Sequence, residues 1–118
     1  MKPKGRPKKY RIIGKDARIT QFSPRGKPGR PDEVSLGMDQ FEAVRLVDMH
    51  GKTQTEAARL MRVSQQTVSR ILRGAHKTIA DALINGKIIR IRGGYYVLTS
   101  RQNFPLKESE IHSPSKLK

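Results

Sequence analysis

Between Thr53 and Gly86 the chain carries two helix starts and two helix stops in close succession. Thr53-Gln54-Thr55-Glu56 is a complete capping box: the threonine oxygen can accept an amide three residues on, and the glutamate can accept the threonine's own amide. Ala57, Ala58, Leu60 and Met61 follow, and the helix they predict lasts about two turns. After the turn Met61-Arg62-Val63, Ser64 opens a second helix. Its apolar residues Val68, Ile71, Leu72, Ala75, Ile79, Ala82 and Leu83 recur with the period of a helix that buries one stripe. Asn85-Gly86 ends it, and at 1.5 Å per residue it is roughly 30 Å long. A short capped helix, a tight turn and a long capped helix form the helix-turn-helix pattern. The close crossing of the two helices needs small residues, supplied by Ala57 and Ala58. Leu60, Val63, Val68 and Ile71 are spaced to lock the pair. The turn needs a left-handed backbone at Arg62, which glycine adopts more easily than arginine.

The rest of the chain is organised around this unit. Met38 to His50 predicts a first helix with Gly37 as N-cap, Phe41, Val44, Leu46 and Val47 on its apolar side, and Gly51 after it. Lys87–Arg92 and Tyr95–Leu98 flank Gly93-Gly94 and predict a C-terminal β-hairpin. Tyr10, Ile12 and Ile13, then Ile19 and Phe22, surround Gly14-Lys15-Asp16 and predict a second short hairpin. Ser23–Pro31 reads as a Pro/Gly linker, residues 1–9 as a disordered basic arm, and the polar stretch from Thr99 as a disordered tail. The expected organisation is therefore an arm, hairpin and linker over 1–31, a domain over 32–98 and a tail over 99–118. The expected fold class is mainly α: a three-helix helix-turn-helix domain with a small β-hairpin element.

Charge narrows the function. In 118 residues there are 25 lysines and arginines against 10 aspartates and glutamates, a formal net charge of +15, which points to a polyanionic partner. The excess is segregated. Residues 1–30 hold a single acid, Asp16. The stretch from Pro31 to Ala58 is mildly acidic, and from Arg59 to Arg92 the only acid is Asp81. There is no cysteine, which removes disulfide frameworks, thiol catalysis and cysteine-rich zinc sites. His50, His76 and His112 lie far apart with no carboxylate constellation, and there is no Gly-rich phosphate loop, nucleophile elbow or metal-ligand spacing. No enzyme activity, cofactor or metal is expected. No apolar run approaches the ~20 residues of a membrane span, and the N-terminus lacks the apolar core of a secretory signal. A cytoplasmic, nucleoid-associated protein is expected.

The spacing that buries one stripe of the long helix exposes Gln65, Gln66, Ser69, Arg70, Arg73 and Lys77 on the other side. Glutamine can pair bidentately with adenine and arginine with guanine, and the N-terminal residues of a recognition helix are those that reach base edges. Gln65, Gln66, Ser69 and Arg70 are therefore the expected base readers. Thr53, Gln54, Thr55, Ser64 and Thr67, near helix N-termini, are expected at phosphates, with Arg73 and Lys77 continuing along the backbone and His76 beside them. Lys4-Gly5-Arg6-Pro7-Lys8-Lys9 holds a Gly-Arg-Pro core in a basic context, which resembles the AT-hook and suits a narrow minor groove. Gly29-Arg30-Pro31 repeats the tripeptide, but Asp32-Glu33 follows it.

Several strings together resemble an uncharacterised prokaryotic family of predicted DNA-binding proteins (domain of unknown function 134, uncharacterised protein family 0251). They are Leu36-Gly37-Met38-Asp39, Glu42-Ala43-Val44-Arg45-Leu46-Val47-Asp48, Thr55-Glu56-Ala57-Ala58, Val63-Ser64-Gln65-Gln66-Thr67-Val68, Ala80-Asp81-Ala82-Leu83-Ile84-Asn85-Gly86-Lys87 and Ile91-Arg92-Gly93-Gly94, with Gly5-Arg6-Pro7-Lys8 and Phe22-Ser23-Pro24 upstream. The resemblance implies a helix-turn-helix similar to region four of sigma factors, and DNA binding without a known target. Members of the family often have a cysteine near the position of Tyr10, and its absence here speaks against a metal role.

The function expected from these readings is sequence-specific binding of double-stranded DNA by a transcriptional regulator. A homodimer is expected, because one recognition helix covers only a half-site, with the β-strands as candidate contact edges. The alternative is a sigma-like accessory that contacts promoter DNA and RNA polymerase, with the acidic first helix as the polymerase face. A structured-RNA-binding protein is a third reading, disfavoured because the basic helix has no aromatic residues.

Overall fold

The structure, a computed structural model, describes residues 10–26, 28–94 and 96–98, and the backbone of 111–112. Three helices and two small sheets make up the described part. The first helix, α1 (Met38–Ala43), begins where the sequence places it. The Gln40 side chain accepts the Gly37 amide at 2.9 Å. It runs on into a π-helical segment, Val44–Met49, in which the His50 amide bonds back to the Arg45 carbonyl at 3.0 Å. That five-residue spacing is wider than an α-helix makes, and the sequence carries no sign of it. Helices α2 (Gln54–Met61) and α3 (Gln65–Asn85) match their predicted bounds, and both Thr53 and Ser64 cap as expected. Arg62 between them has φ 59° and ψ 46°, the left-handed conformation the turn demands.

The strands are where the structure departs from the sequence reading. There are six: β1 (Arg11–Ile13), β2 (Gln21–Phe22), β3 (Glu33–Leu36), β4 (Ile88–Ile91), β5 (Tyr96–Leu98) and β6 (Ile111–His112). Neither expected hairpin forms. Instead β1 pairs parallel with β5, β2 pairs antiparallel with β4, and β3 pairs parallel with β4. The two sheets have the orders β1-β5-β6 and β2-β4-β3. Gly93 and Gly94 do take the positive φ that a primed turn needs, at 88° and 97°. The chain does not fold back, however, because the Gly93 carbonyl accepts the Met38 amide at 3.0 Å and Arg92 stays bonded to Leu36. The glycines thus redirect the chain from one sheet to the other. A two-stranded hairpin is marginal by itself, whereas the observed pairings add strands to sheets that cover a core. Of the strands expected to offer edges for dimer contact, β4 and β5 are central and paired on both sides, while β1 and β2 each keep one edge among the described residues. In the expected tail, Ile111–His112 pairs antiparallel with β5, and residues 99–110 and 113–118 lie outside the described residues.

Strands β3 and β4 enter and leave the helical region side by side, since a parallel pair needs a long crossover and the helices provide it. Two clusters form the core. Ala43, Leu46, Ala57, Ala58, Met61, Val68, Ile71 and Leu72 pack the helices together. Ile13, Ala17, Leu36, Met38, Ala75, Ile91 and Tyr96 pack the second half of α3 against the strands. The buried stripe of α3 matches expectation except at its end: Leu83 is 74% exposed. Leu60, expected to lock α2 onto α3, is also exposed, and Ala58 and Met61 do that work instead.

Among the described residues Glu42 is the buried charged side chain, 2% exposed. Its carboxylate accepts two bonds from the Arg45 guanidinium, each 2.8 Å, and the Gly14 amide at 3.0 Å. These bonds hold Arg45 above its ordinary basicity. They also tie the loop after β1 to the first helix. A Cβ on Gly14 would lie 3.0 Å from the Arg45 guanidinium, so this approach suits glycine. Among the described residues, no helix is long and apolar enough to cross a membrane.

Glu42→Ala strands the Arg45 guanidinium and the Gly14 amide and is expected to cost about 3 kcal/mol in a urea melt, while Glu42→Gln costs less. A loss within a few tenths of a kcal/mol would show that water replaces the carboxylate. Arg62→Gly relieves a left-handed arginine and is expected to stabilise by up to about 1 kcal/mol, raising the melting midpoint by a few degrees. Acid lowers stability for a separate reason. Glu33 is held below 4.5 by its bond from Arg90, Glu56 below 4.5 by the Thr53 amide, and Asp81 below 3.8 by Asn85 and then Lys87. A depressed carboxylate stabilises the fold above its unfolded value and ceases to do so as pH falls through the folded one. The melting midpoint is therefore expected to be flat above these values and to fall below them. Alanine at Glu33, Glu56 and Asp81 together should flatten the acid limb.

Candidate nucleic-acid interface

The first turns of α2 and α3 lie against each other. The Thr55 hydroxyl donates to the Gln65 carbonyl oxygen at 3.2 Å, so an expected phosphate contact and an expected base reader are joined across the two helices. Nothing in their spacing along the chain shows this bond, because it depends on how the two helices cross. The bond engages the side-chain amide oxygen of Gln65 and leaves its amide nitrogen to other partners.

On α3 itself the expected readers form one face. At about 100° per residue, Gln65, Gln66, Ser69, Arg70, Arg73 and Lys77 fall within an arc of roughly 140°, away from buried Val68, Ile71, Leu72 and Ala75. Gln65, Gln66, Arg70, Arg73 and Lys77 are exposed and Ser69 is half-buried. Among the described residues, the side chains of Gln66, Ser69, Arg70, Arg73 and Lys77 make no hydrogen bond or ion pair. His76 does not join them: its Nε2 lies 2.7 Å from the Asp48 carboxylate on the π-helical segment. That bond ties the middle of α3 to the first helix.

The expected phosphate contacts are more engaged. The Ser64 hydroxyl accepts the Thr67 amide at 3.1 Å and lies 2.9 Å from the Thr67 hydroxyl. The Thr53 hydroxyl accepts the Glu56 amide at 3.1 Å, and Glu56 accepts the Thr53 amide at 2.9 Å. The capping box thus uses the Thr53 amide and brings the Glu56 carboxylate to the same helix end. An incoming anion at α2 meets Thr55 and half-buried Gln54 rather than a bare row of amides. Exposed Arg59 and Arg62 add positive charge near the turn, which the sequence reading left out. Lys4, Gly5, Arg6, Pro7, Lys8 and Lys9, the expected minor-groove arm, lie outside the described residues.

A family model described as "Protein of unknown function DUF134" matches residues 1–99. A UPF0251 protein of Prosthecochloris aestuarii is 43% identical over 99 residues, covering 83% of this chain and 64% of that protein. Another, from Thermoanaerobacter pseudethanolicus, is 45% identical over 92 residues, covering 77% and 78%. A third, from the methanogen Methanococcus maripaludis, is 45% identical over 94 residues, covering 79% and 72%. The matched part of the chain thus spans just under two thirds of the Prosthecochloris protein and somewhat more of the others. No solved structure matches. With a family model covering most of its length and relatives above 40% identity, the chain belongs to the DUF134 family, an uncharacterised prokaryotic family whose relatives bear the name UPF0251.

Proposed function

We propose that this protein binds double-stranded DNA sequence-specifically and acts as a transcriptional regulator, with α2, the Arg62 turn and α3 serving as a helix-turn-helix similar to sigma factor region four. The observation that carries this reading is the solvent face of α3 between Gln65 and Lys77. It presents glutamines, a serine and cations whose side chains, Gln65 apart, make no hydrogen bond or close ion pair among the described residues, Lys77 acting on Asp81 only at longer range. From Arg59 to Ala80 the chain has no carboxylate. An ordinary solvated helix face mixes signs and pairs its cations three or four residues away. A face of unpaired cations and amides suits a phosphate-lined groove with base edges at its floor.

Roles follow from position. Gln65, Gln66, Ser69 and Arg70, in the first two turns of α3, read base edges. Arg73 and Lys77 follow the phosphate backbone, and Thr55 both positions Gln65 and faces the adjoining phosphate. Thr53, Ser64 and Thr67 contribute chiefly by holding the two helix starts in place, Gln54 faces the phosphate beside Thr55, and the basic arm from Lys4 to Lys9 adds a minor-groove contact. The polymerase-accessory reading rested on an acidic first helix. In the structure Glu42 is buried on Arg45, Asp39 lies 3.7 Å from Arg11 and Asp48 is hydrogen-bonded to His76, so each carboxylate of that helix already has a partner within the chain.

Selection from random duplex DNA by the full-length protein tests the proposal, at about 200 mM salt so that non-specific phosphate binding is suppressed. An enriched motif is the expected result. Binding that collapses with salt and enriches nothing would overturn it. Within an enriched site, Arg70→Ala is expected to cost about 1–3 kcal/mol and to relax one base position. Lys77→Ala should weaken all duplexes alike and reduce the salt slope by about one. Equal losses on every sequence for both variants would overturn the assignment of Arg70 to base readout.

A further inference from the structure

The solvent face of α3 does not end at Lys77. Gln66, Arg70, Arg73, Lys77, Ala80 and Ile84 follow one another in alternating steps of four and three, which places them along a single seam of the helix. The seam changes character partway along. Its first four positions are polar or basic, and its last two are apolar, with Leu83 beside them. Leu83 is 74% and Ile84 80% exposed, and Ala80 is exposed as well. These side chains face away from both cores, and no described residue covers them.

We propose that this apolar end of α3 pairs with the same surface of a second copy, so that two α3 helices fork from it onto DNA. The proposal rests on the DNA-binding reading for its purpose but on separate residues for its contact. Two observations select a second copy as the occupant. The first is charge. Two chains of +15 repel wherever their basic faces meet, and this end of α3 is where the one acid of residues 59–92, Asp81, offsets that charge. Asp81 accepts Asn85 at 2.7 Å and Lys87 at 3.0 Å, so the cation beside Leu83 and Ile84 is paired, whereas Arg70 and Arg73 further up the helix have no ion pair among the described residues. The second is azimuth. A fork needs the contact and the reading residues on the same side of one continuous helix, as when basic helices diverge from a dimer across a major groove. That is where Ala80 and Ile84 stand relative to Gln66 and Arg70. At 1.5 Å per residue the patch lies about 23 Å from the centre of the base-reading segment. A fork opened to roughly a right angle then sets the two reading segments about 33 Å apart, close to one turn of duplex.

Sedimentation of the full chain without DNA tests the contact. At about 0.1 mM the expected mass is twice that of one chain, and association tightens with added salt, because screening removes repulsion while apolar contact persists. The double variant Leu83→Lys, Ile84→Lys is expected to sediment as a monomer with the helical circular-dichroism spectrum of the folded chain, and with a melting midpoint that no longer rises with protein concentration. The chain has no cysteine. Ile84→Cys should therefore form an interchain disulfide under mild oxidation, whereas Met49→Cys, 74% exposed elsewhere, should not. A full chain that stays monomeric throughout, or a dimer that the double variant retains, overturns the proposal. Because the mass is read without DNA, its failure leaves base readout by Gln66 and Arg70 to be judged by selection alone.

Discussion

Helix α3 is shared between two cores, and the rest of the molecule is arranged by that fact. Its first half completes the cluster of Ala43, Leu46, Ala57, Ala58 and Met61, and its second half supplies Ala75 to the cluster of Ile13, Leu36, Met38, Ile91 and Tyr96. One apolar stripe on one long helix does both, because Val68, Ile71, Leu72, Ala75, Ile79 and Ala82 keep the helical period without a break. Burial of that stripe fixes the rotation of the helix about its axis. The opposite face, from Gln65 to Ile84, is thereby turned toward solvent.

A second constraint joins the N-terminal segment to this scaffold. The Glu42 carboxylate lies among Arg45 and the Gly14 amide in a site almost closed to water. Burying a carboxylate is costly unless its charge and its hydrogen-bonding capacity are both met, and here three donors meet them. The strand β1 enters the core through this contact, with Ile13 fully buried and paired beside β5. Tyr96 on β5 is fully buried too, and its hydroxyl has no hydrogen-bond partner among the described residues. Burial, and Asp16 nearby, raise its proton affinity, so it is held as the neutral phenol in the core.

The helices were legible in the sequence because their signals are local. Thr53, Glu56 and Ser64 cap within three residues of themselves, and the buried stripe repeats within one turn. The left-handed turn at Arg62 was legible for the same reason. The strands were not, since pairing is decided by which apolar faces need covering. β3 shows a brief alternation, Glu33-Val34-Ser35-Leu36, too short to be told from a loop by pattern alone, and its partner lies beyond all three helices. The exposure of Leu83 and Ile84 also escaped the pattern, because the helix outlasts the core that covers it.

The sequence by itself determined the caps, the turn, the buried side of α3 and the identity of the side chains on its free face. Tertiary structure decided which strands pair, the bond from Thr55 to Gln65, the diversion of His76 to Asp48, and the internal use of the acidic groups on the first helix. The division has one physical cause. Caps and periodicity are satisfied by neighbours within a turn or two of chain, whereas sheet order, interhelical bonds and ion pairs depend on packing of segments far apart in sequence, where burial of apolar surface outweighs local preference.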